Sequence, residues 1–243
     1  MNDYTLFCDI CHNVYICTME NECVSCPFKS RATATLCECS FDQLNANHAV
    51  VKFVKGDTIV KQGNYSTNVT FLRTGLAKMH LIGPSYEQIV RLVKAPTYLG
   101  LPTTFGNKIN QYSVTALSDV EVCFIDINIF RTLLKENEQF SYEIILELCK
   151  NELDSFHRCA NRTQKQTRGN LADVLLEFAN HIFESDTFIL PISQSEVGNL
   201  IDTSRESVSR TLSEFDKDGL IRMSGKNIEI INKSSLELVS QKG

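Results

Sequence analysis

Residues 193 to 231, SQSEVGNLIDTSRESVSRTLSEFDKDGLIRMSGKNIEII, constrain the fold more than any other stretch of the chain. Ser193 stands three residues before Glu196, and Thr203 three before Glu206, so two helix starts each offer a reciprocal capping box. Between them Ile201, Asp202 and Thr203 are left for a tight turn. Val197, Leu200 and Ile201 on the first helix, and Val208, Leu212 and Phe215 on the second, recur at helical spacing and face each other. Asp218-Gly219 stops the second helix, and Leu220 to Ile230, with Ser224-Gly225-Lys226-Asn227 at the centre, reads as a hairpin. Two short helices at a turn followed by a hairpin describe a winged helix-turn-helix. The polar face of its second helix carries Arg205, Glu206, Ser209 and Arg210, a set able to read base edges in the major groove: Glu accepts from cytosine and Arg forks onto guanine.

At these residues the chain resembles the cyclic-AMP receptor protein and fumarate/nitrate regulator (CRP/FNR) family, whose recognition helix carries R-E-x-x-x-R or E-x-x-S-R; Arg205-Glu206-Ser207-Val208-Ser209-Arg210 satisfies both. Asp202 stands where such turns usually hold Gly, and Asp tolerates the left-handed conformation better than most residues. A broadly basic coat is excluded by a net charge of −5, and within 193–233 six basic residues meet seven acidic ones. Attraction to DNA then depends on where the cations sit and on doubling them in a dimer.

From Ala49 to Asp126 the β-rich runs VVKF, TIVK, VTFLR, LAKMHLI and EQIVRLV alternate with turns at Gly56-Asp57, Gly63-Asn64, Thr74-Gly75 and Gly83-Pro84, the spacing of a small antiparallel barrel or roll. Val54 to Gly63 resembles the opening of the family's cyclic-nucleotide-type β-roll, and the likeness spans roughly residues 45 to 232. In the cyclic-AMP branch a Gly-Glu pair holds the ribose and an Arg-Ser pair the phosphate. Gly100-Leu101 and Asn110-Gln111-Tyr112-Ser113 stand there instead, so cyclic AMP is not the expected ligand.

A helical pattern from about Asn128 to Arg162 places Tyr142, Leu146, Cys149, Leu153, Phe156 and Ala160 at alternating three- and four-residue steps. The resemblance makes this stripe a parallel homodimer interface; a single chain would bury it against its own β-roll. A dimer calls for an inverted-repeat operator in double-stranded DNA. The polar stretch Asn161 to Asn170 reads as the hinge. Cys149 and Cys159 read as packing residues.

Seven of the ten cysteines fall early: Cys8, Cys11, Cys17, Cys23, Cys26, Cys37 and Cys39. A reducing cytosol disfavours disulfides, so clustered thiols point to a metal or to redox sensing. Cys8-x2-Cys11-x5-Cys17 has the local spacing of three iron-sulfur ligands in the family's oxygen-sensing branch. Cys123, in Ala116-Leu117-x4-Val122-Cys123, matches the fourth, and four thiolates suit a [4Fe-4S] centre. The pair Cys23-x2-Cys26 sits nearer the chain position that the resemblance implies, with Cys37 as a candidate third ligand, so two registers stand open. Zinc is the competing metal: Cys8, Cys11, Cys23 and Cys26 form two C-x-x-C knuckles compatible with a tetrahedral structural site. In that case the signal would be a small molecule in the β-roll.

His12, His48, His80, His157 and His181 are scattered, with no nucleophile elbow, phosphate loop or HExxH pair, so no enzyme is expected. Met1-Asn2-Asp3 opens no signal peptide, and no apolar run approaches a membrane span, which makes a cytoplasmic protein without a membrane partner the expectation. The expected architecture is α+β: a cysteine-rich leader (1–40), an antiparallel β-roll (41–127), a dimerisation helix (128–162) and a winged helix-turn-helix domain (163–243). The implied protein is a transcription regulator, with RNA polymerase as a further partner if it activates.

Overall fold

The computed structural model describes residues 22–243. A short helix α1 (Glu22–Ser25) and the nine-residue α2 (Glu38–Ala46) precede eight strands: β1 (His48–Phe53), β2 (Thr58–Val60), β3 (Asn68–Thr74), β4 (Leu76–Ile82), β5 (Glu87–Lys94), β6 (Thr97–Leu99), β7 (Ser113–Ala116) and β8 (Val120–Asp126). A helix α3 (Leu101–Gly106) bridges β6 and β7. The strands form two antiparallel four-stranded sheets, β1-β8-β3-β6 and β2-β7-β4-β5, which close into a jelly-roll-like domain. The five sequence-predicted runs are β1 to β5. Their turns fall at glycines with positive φ, 98° at Gly56, 84° at Gly63 and 85° at Gly75, where a side chain would be strained.

Side-chain alternation along β3 and β8 explains why both strands are buried on both faces. Leu72 and Val122 point between the two sheets with Met79, Val93 and Val114. Phe71 and Cys123 point the other way, into a second core with Phe41, Leu44, Tyr98, Phe130 and Phe140. That second core is roofed by α2 and by α4 (Ile127–Glu136), whose start is capped by Asp126 accepting from the amides of Asn128 (2.8 Å) and Ile129 (3.2 Å).

The single long helix expected from Asn128 to Arg162 is two helices. After α4 the backbone is extended at Asn137, and α5 (Glu138–Gln164) begins. The break lets α4 drive Phe130 and Leu133 into the core while α5 buries only Phe140 and Ile144 and then runs along the roll, held by Asn151 accepting from Arg91 and by Arg162 donating to the Ile89 and Val90 carbonyls. Nor is 161–170 an open hinge. The helix continues to Gln164, and only Lys165 and Gln166 separate it from α6 (Thr167–Glu177). The polar side chains there satisfy one another across the corner: Asp173 accepts from Lys165 (2.6 Å) and Asn161 (3.2 Å), and Asn170 donates to the Lys165 carbonyl (3.2 Å).

The C-terminal part adds β9 (Thr187–Ile189), α7 (Gln194–Ile201), α8 (Arg205–Lys217), β10 (Ile221–Ser224), β11 (Asn227–Ile230) and α9 (Lys233–Lys242) around a core that includes Leu175, Val208, Leu212 and Phe215. Leu76, Ile89 and Leu92 of the roll join this core, so the two halves pack together. None of the described helices is long and apolar enough to cross a membrane.

Candidate nucleic-acid interface and thiol pocket

The first capping box forms as expected: Ser193 Oγ accepts from the Glu196 amide (3.2 Å), and Glu196 Oε2 accepts from the Ser193 amide (2.9 Å). The second does not. The cap of α8 is Ser204, one residue later than Thr203, with its Oγ accepting from the Ser207 amide at 3.2 Å. Asp202 takes the left-handed conformation (φ 58°, ψ 52°) and ends α7, so one more residue is spent on the turn before the helix starts. Glu206 then lies at the second helical position, where its own backbone amide and Ser204 hold its carboxyl below the usual range and keep it ionised.

Gly198 makes this turn possible. A β-carbon there would stand 2.6 Å from the Thr203 carbonyl oxygen, a backbone atom that cannot move aside. Gly198→Ala is therefore expected to cost about 1–3 kcal/mol as overpacking, read as a lowered midpoint of thermal unfolding, with operator affinity reduced as well.

Along α8 the apolar residues Val208, Leu212 and Phe215 are buried, while Arg205, Glu206, Ser209 and Arg210 are all exposed on one face. The local acidic excess is largely neutralised away from that face. Arg168 of α6 pairs with Glu214 (3.3 Å) and Asp218 (2.5 Å), and Arg222 pairs with Glu229 across the wing (2.8 Å). Arg205 and Arg210 form no ion pair with another described residue, so their guanidinium groups stay available to phosphate or base. The hairpin β10–β11 is the expected wing, turned at Gly225-Lys226, and β9 extends it to a three-stranded sheet.

The β4–β5 hairpin grips this reader. Lys78 pairs with Glu87 (3.0 Å) and Glu196 (2.7 Å), the Tyr86 hydroxyl donates to Asp202, and Gln88 donates to the Asn199 carbonyl. Burial works against charge at both Lys78 and Glu196, yet their mutual contacts outweigh it, raising the lysine and lowering the carboxyl. A lowered carboxyl contributes stability above its unfolded value and loses it as pH falls through its folded value. The grip is expected to hold through the neutral range and to loosen only in acid below the usual carboxylate range. A Lys78→Met variant should shrink that acid step in a pH titration of unfolding, with the Ser193 contacts to Glu196 keeping the remainder.

On the far side of the roll, Cys23 from α1, Cys26 just after it and Cys123 from β8 line one small pocket together with His48, Arg73 and Tyr98. Cys23 and Cys123 are both buried. Cys23 Sγ is 3.9 Å from the His48 ring nitrogens, and Arg73 donates to Cys26 Sγ at 3.5 Å. Burial first, then the neighbouring Cys23 and Cys26, push the Cys123 thiol up to about 12, with Arg73 opposing. No group of three metal-binding side chains is yet at ligating distance among the described residues. Cys8, Cys11 and Cys17 lie outside those residues, and with them one iron-sulfur register and half of the zinc set. Cys37 does not line the pocket; its sulfur is against that of Cys39. The pocket residues His48 and Arg73 carried no local sequence signal.

On α5 the predicted stripe is uncovered: Tyr142 is 55% exposed, Leu146 45%, Leu153 57% and Phe156 62%, with Cys149 and Ala160 exposed as well. Burial against the chain's own roll is thus ruled out, and Cys149 and Cys159 are not packing residues within the chain, because both lie on the solvent side of α5. The roll holds a further cavity lined by Arg91, Gly100, Leu101, Tyr112 and Asn151, in which Arg91 donates to Asn151 Oδ1 at 2.7 Å.

A β-roll joined through a long helix to a winged helix-turn-helix with an exposed polar recognition face defines a DNA-binding regulator. Residues 169–239 match the Crp-like helix-turn-helix domain, and residues 50–137 the cyclic nucleotide-binding domain. The transcriptional activator protein FnrL of Cereibacter sphaeroides is 25% identical over 88% of this chain and 89% of its own length. Electron transport regulator A of Shewanella oneidensis is 27% identical over 95% of this chain and 90% of its own. The structure of FixK2 from Bradyrhizobium japonicum superposes with a TM-score of 0.72 at 18% identity, covering 79% of this chain and 96% of that one. The chain belongs to the CRP/FNR family of transcription regulators.

Proposed function

We propose that this regulator binds an inverted-repeat operator as a homodimer and responds to oxygen, nitric oxide or redox state through an iron-sulfur cluster held in the thiol pocket. The observation that carries the signal half is the convergence of the Cys23-x2-Cys26 pair with Cys123, distant in sequence, on one largely apolar pocket. The donor set fits the group. Soft sulfur ligands suit iron-sulfur clusters, and a buried thiol whose ionised form is disfavoured when alone gains that form by binding a cation. Convergence of Cys23-x2-Cys26 with Cys123 favours this register, with the fourth ligand drawn from Cys8, Cys11 or Cys17. Bound there, a [4Fe-4S] centre would supply a group that oxygen or nitric oxide dismantles.

The chain's own residues supply the rest. Arg73 orients Cys26 by donating to its sulfur, and a cluster shared by Cys23, Cys26 and Cys123 would tie the leader to β8. The same core holds Phe130 of α4 and Phe140 of α5, so the state of the leader bears on the start of the pairing helix. Two copies meeting along Tyr142, Leu146, Cys149, Leu153, Phe156 and Ala160 would set two α8 helices into successive major grooves. Arg205, Glu206, Ser209 and Arg210 then read each half-site. Release of the leader would shift the population away from the paired state.

A small-molecule effector in the roll, with zinc as a structural clip, is the second reading. The half-buried Arg91 favours it, since it brings a guanidinium to the roll cavity from β5 although residues 110–113 lack one. Leu101 still stands where the cyclic-AMP branch places its ribose-binding Glu, so cyclic AMP is not the ligand proposed. The test is an anaerobic mobility shift on an inverted repeat before and after brief air exposure, in wild type and in Cys123→Ala. Air-sensitive binding lost in the variant is expected. Full, air-sensitive binding by Cys123→Ala would overturn the pocket as the sensor.

A further inference from the structure

A second pair of thiols, away from that pocket, meets at the start of α2. Cys37 is the cap of the helix, with extended backbone (φ −79°, ψ 167°), and Cys39 lies in its first turn. Inside a helix, side chains two residues apart diverge around the axis. Because Cys37 sits in the cap position, its side chain turns back over the first turn, and the two sulfurs stand 2.7 Å apart, with Ser40 Oγ 3.3 Å from Cys37. Cys37 is exposed and Cys39 half-buried, while Phe41 and Leu44 bury the opposite face of α2 and anchor its backbone.

We propose that Cys37 and Cys39 form a reversible dithiol-disulfide modification site whose oxidant is a low-molecular-weight disulfide. The Cys37 thiolate attacks one sulfur of the oxidant, forming a mixed disulfide and expelling one thiolate. Cys39 gives its proton to solvent and attacks the Cys37 sulfur, closing the intrachain bond and expelling the second thiolate. Two protein thiols are oxidised, and one small disulfide is reduced to two thiols. Cys37 is the attacking group because it is the more accessible. Partial burial opposes its ionisation, but contacts from Cys39, Ser40 and the amides at the helix start outweigh that and hold the thiol below its ordinary value. The bond would form beside Ser40, whose hydroxyl faces Asn137 Oδ1 at 3.5 Å, where α4 gives way to α5.

The site does not rest on the cluster reading, and its test separates the two. Cleavage after Arg31 and Lys52 releases a peptide, residues 32–52, that contains Cys37 and Cys39 and no other cysteine. Full-length reduced protein is treated with oxidised glutathione, quenched with acid, alkylated and digested. In wild type and in Cys123→Ala alike, this peptide should lose two hydrogens, resist alkylation and recover both thiols with reductant. In Cys39→Ser it should stall with one glutathione on Cys37. The proposal is overturned if the wild-type peptide stays fully alkylatable while Cys149 and Cys159 carry glutathione. It is also overturned if Cys37 and Cys39 each retain glutathione, or if either is cross-linked to another peptide.

Discussion

Replacing Arg210 by alanine should sharply weaken specific operator binding while leaving the fold intact. Arg210 is exposed on α8, forms no ion pair with another described residue, and lies one turn from Glu206 on the same face. A bidentate arginine-guanine contact contributes about 1–3 kcal/mol of discrimination. A symmetric dimer would lose it twice, so the expected penalty is about 2–6 kcal/mol, or ~30-fold to ~20,000-fold in affinity. The loss should be concentrated on the base pair read by the side chain, whereas Lys226→Ala at the wing tip should weaken all sequences alike and flatten the salt dependence. A titration of Arg210→Ala against operator and unrelated DNA reads this directly. Equal affinity for operator in variant and wild type would remove α8 from the reading role.

The second large effect is expected at Phe156. This ring is 62% exposed in the single chain, and Leu153 one turn earlier is 57% exposed, an apolar seam that one copy leaves uncovered. In a parallel pair each seam residue faces its own counterpart, so Phe156→Glu sets two carboxylates against each other in place of two rings. Lost burial of a large side chain contributes about 1.5–3 kcal/mol per copy, before any like-charge repulsion. Sedimentation should show Phe156→Glu as a monomer at concentrations where wild type is paired, with thermal stability of each half little changed because the position has no core role. A dimer of undiminished affinity would place the interface elsewhere.

The sequence announced most of this architecture through local chemistry. The Ser193 box, the left-handed Asp202, the buried Val208, Leu212 and Phe215 and the Gly225 turn are each set by neighbours a few residues away, and all are found in the structure. Expectations failed where a distant partner decided the outcome. The break at Asn137 is imposed by the roll, which buries Phe130 and Phe140 from two directions. Residues 161 to 170 remain mostly helical because Asp173, from the next helix, satisfies Asn161 and Lys165. The cap of α8 moved from Thr203 to Ser204 because the left-handed residue consumed one more position. Helix α9 and strand β9 went unread: α9 packs on α6, and β9 pairs only with β11, so neither advertises itself locally. The meeting of Cys23, Cys26 and Cys123 beside Arg73 and His48 is likewise a product of strand pairing, since Phe71↔Cys123 registers β3 against β8.

The most direct test of the sensor account is the visible spectrum of protein purified without oxygen, with iron, acid-labile sulfide and zinc assayed on the same sample. The account predicts iron and sulfide together, a broad shoulder near ~400 nm from sulfide-to-iron charge transfer, bleaching in air, and loss of the iron in Cys123→Ala. A colourless protein that carries zinc and no iron would contradict it and move the signal to the Arg91 cavity of the roll.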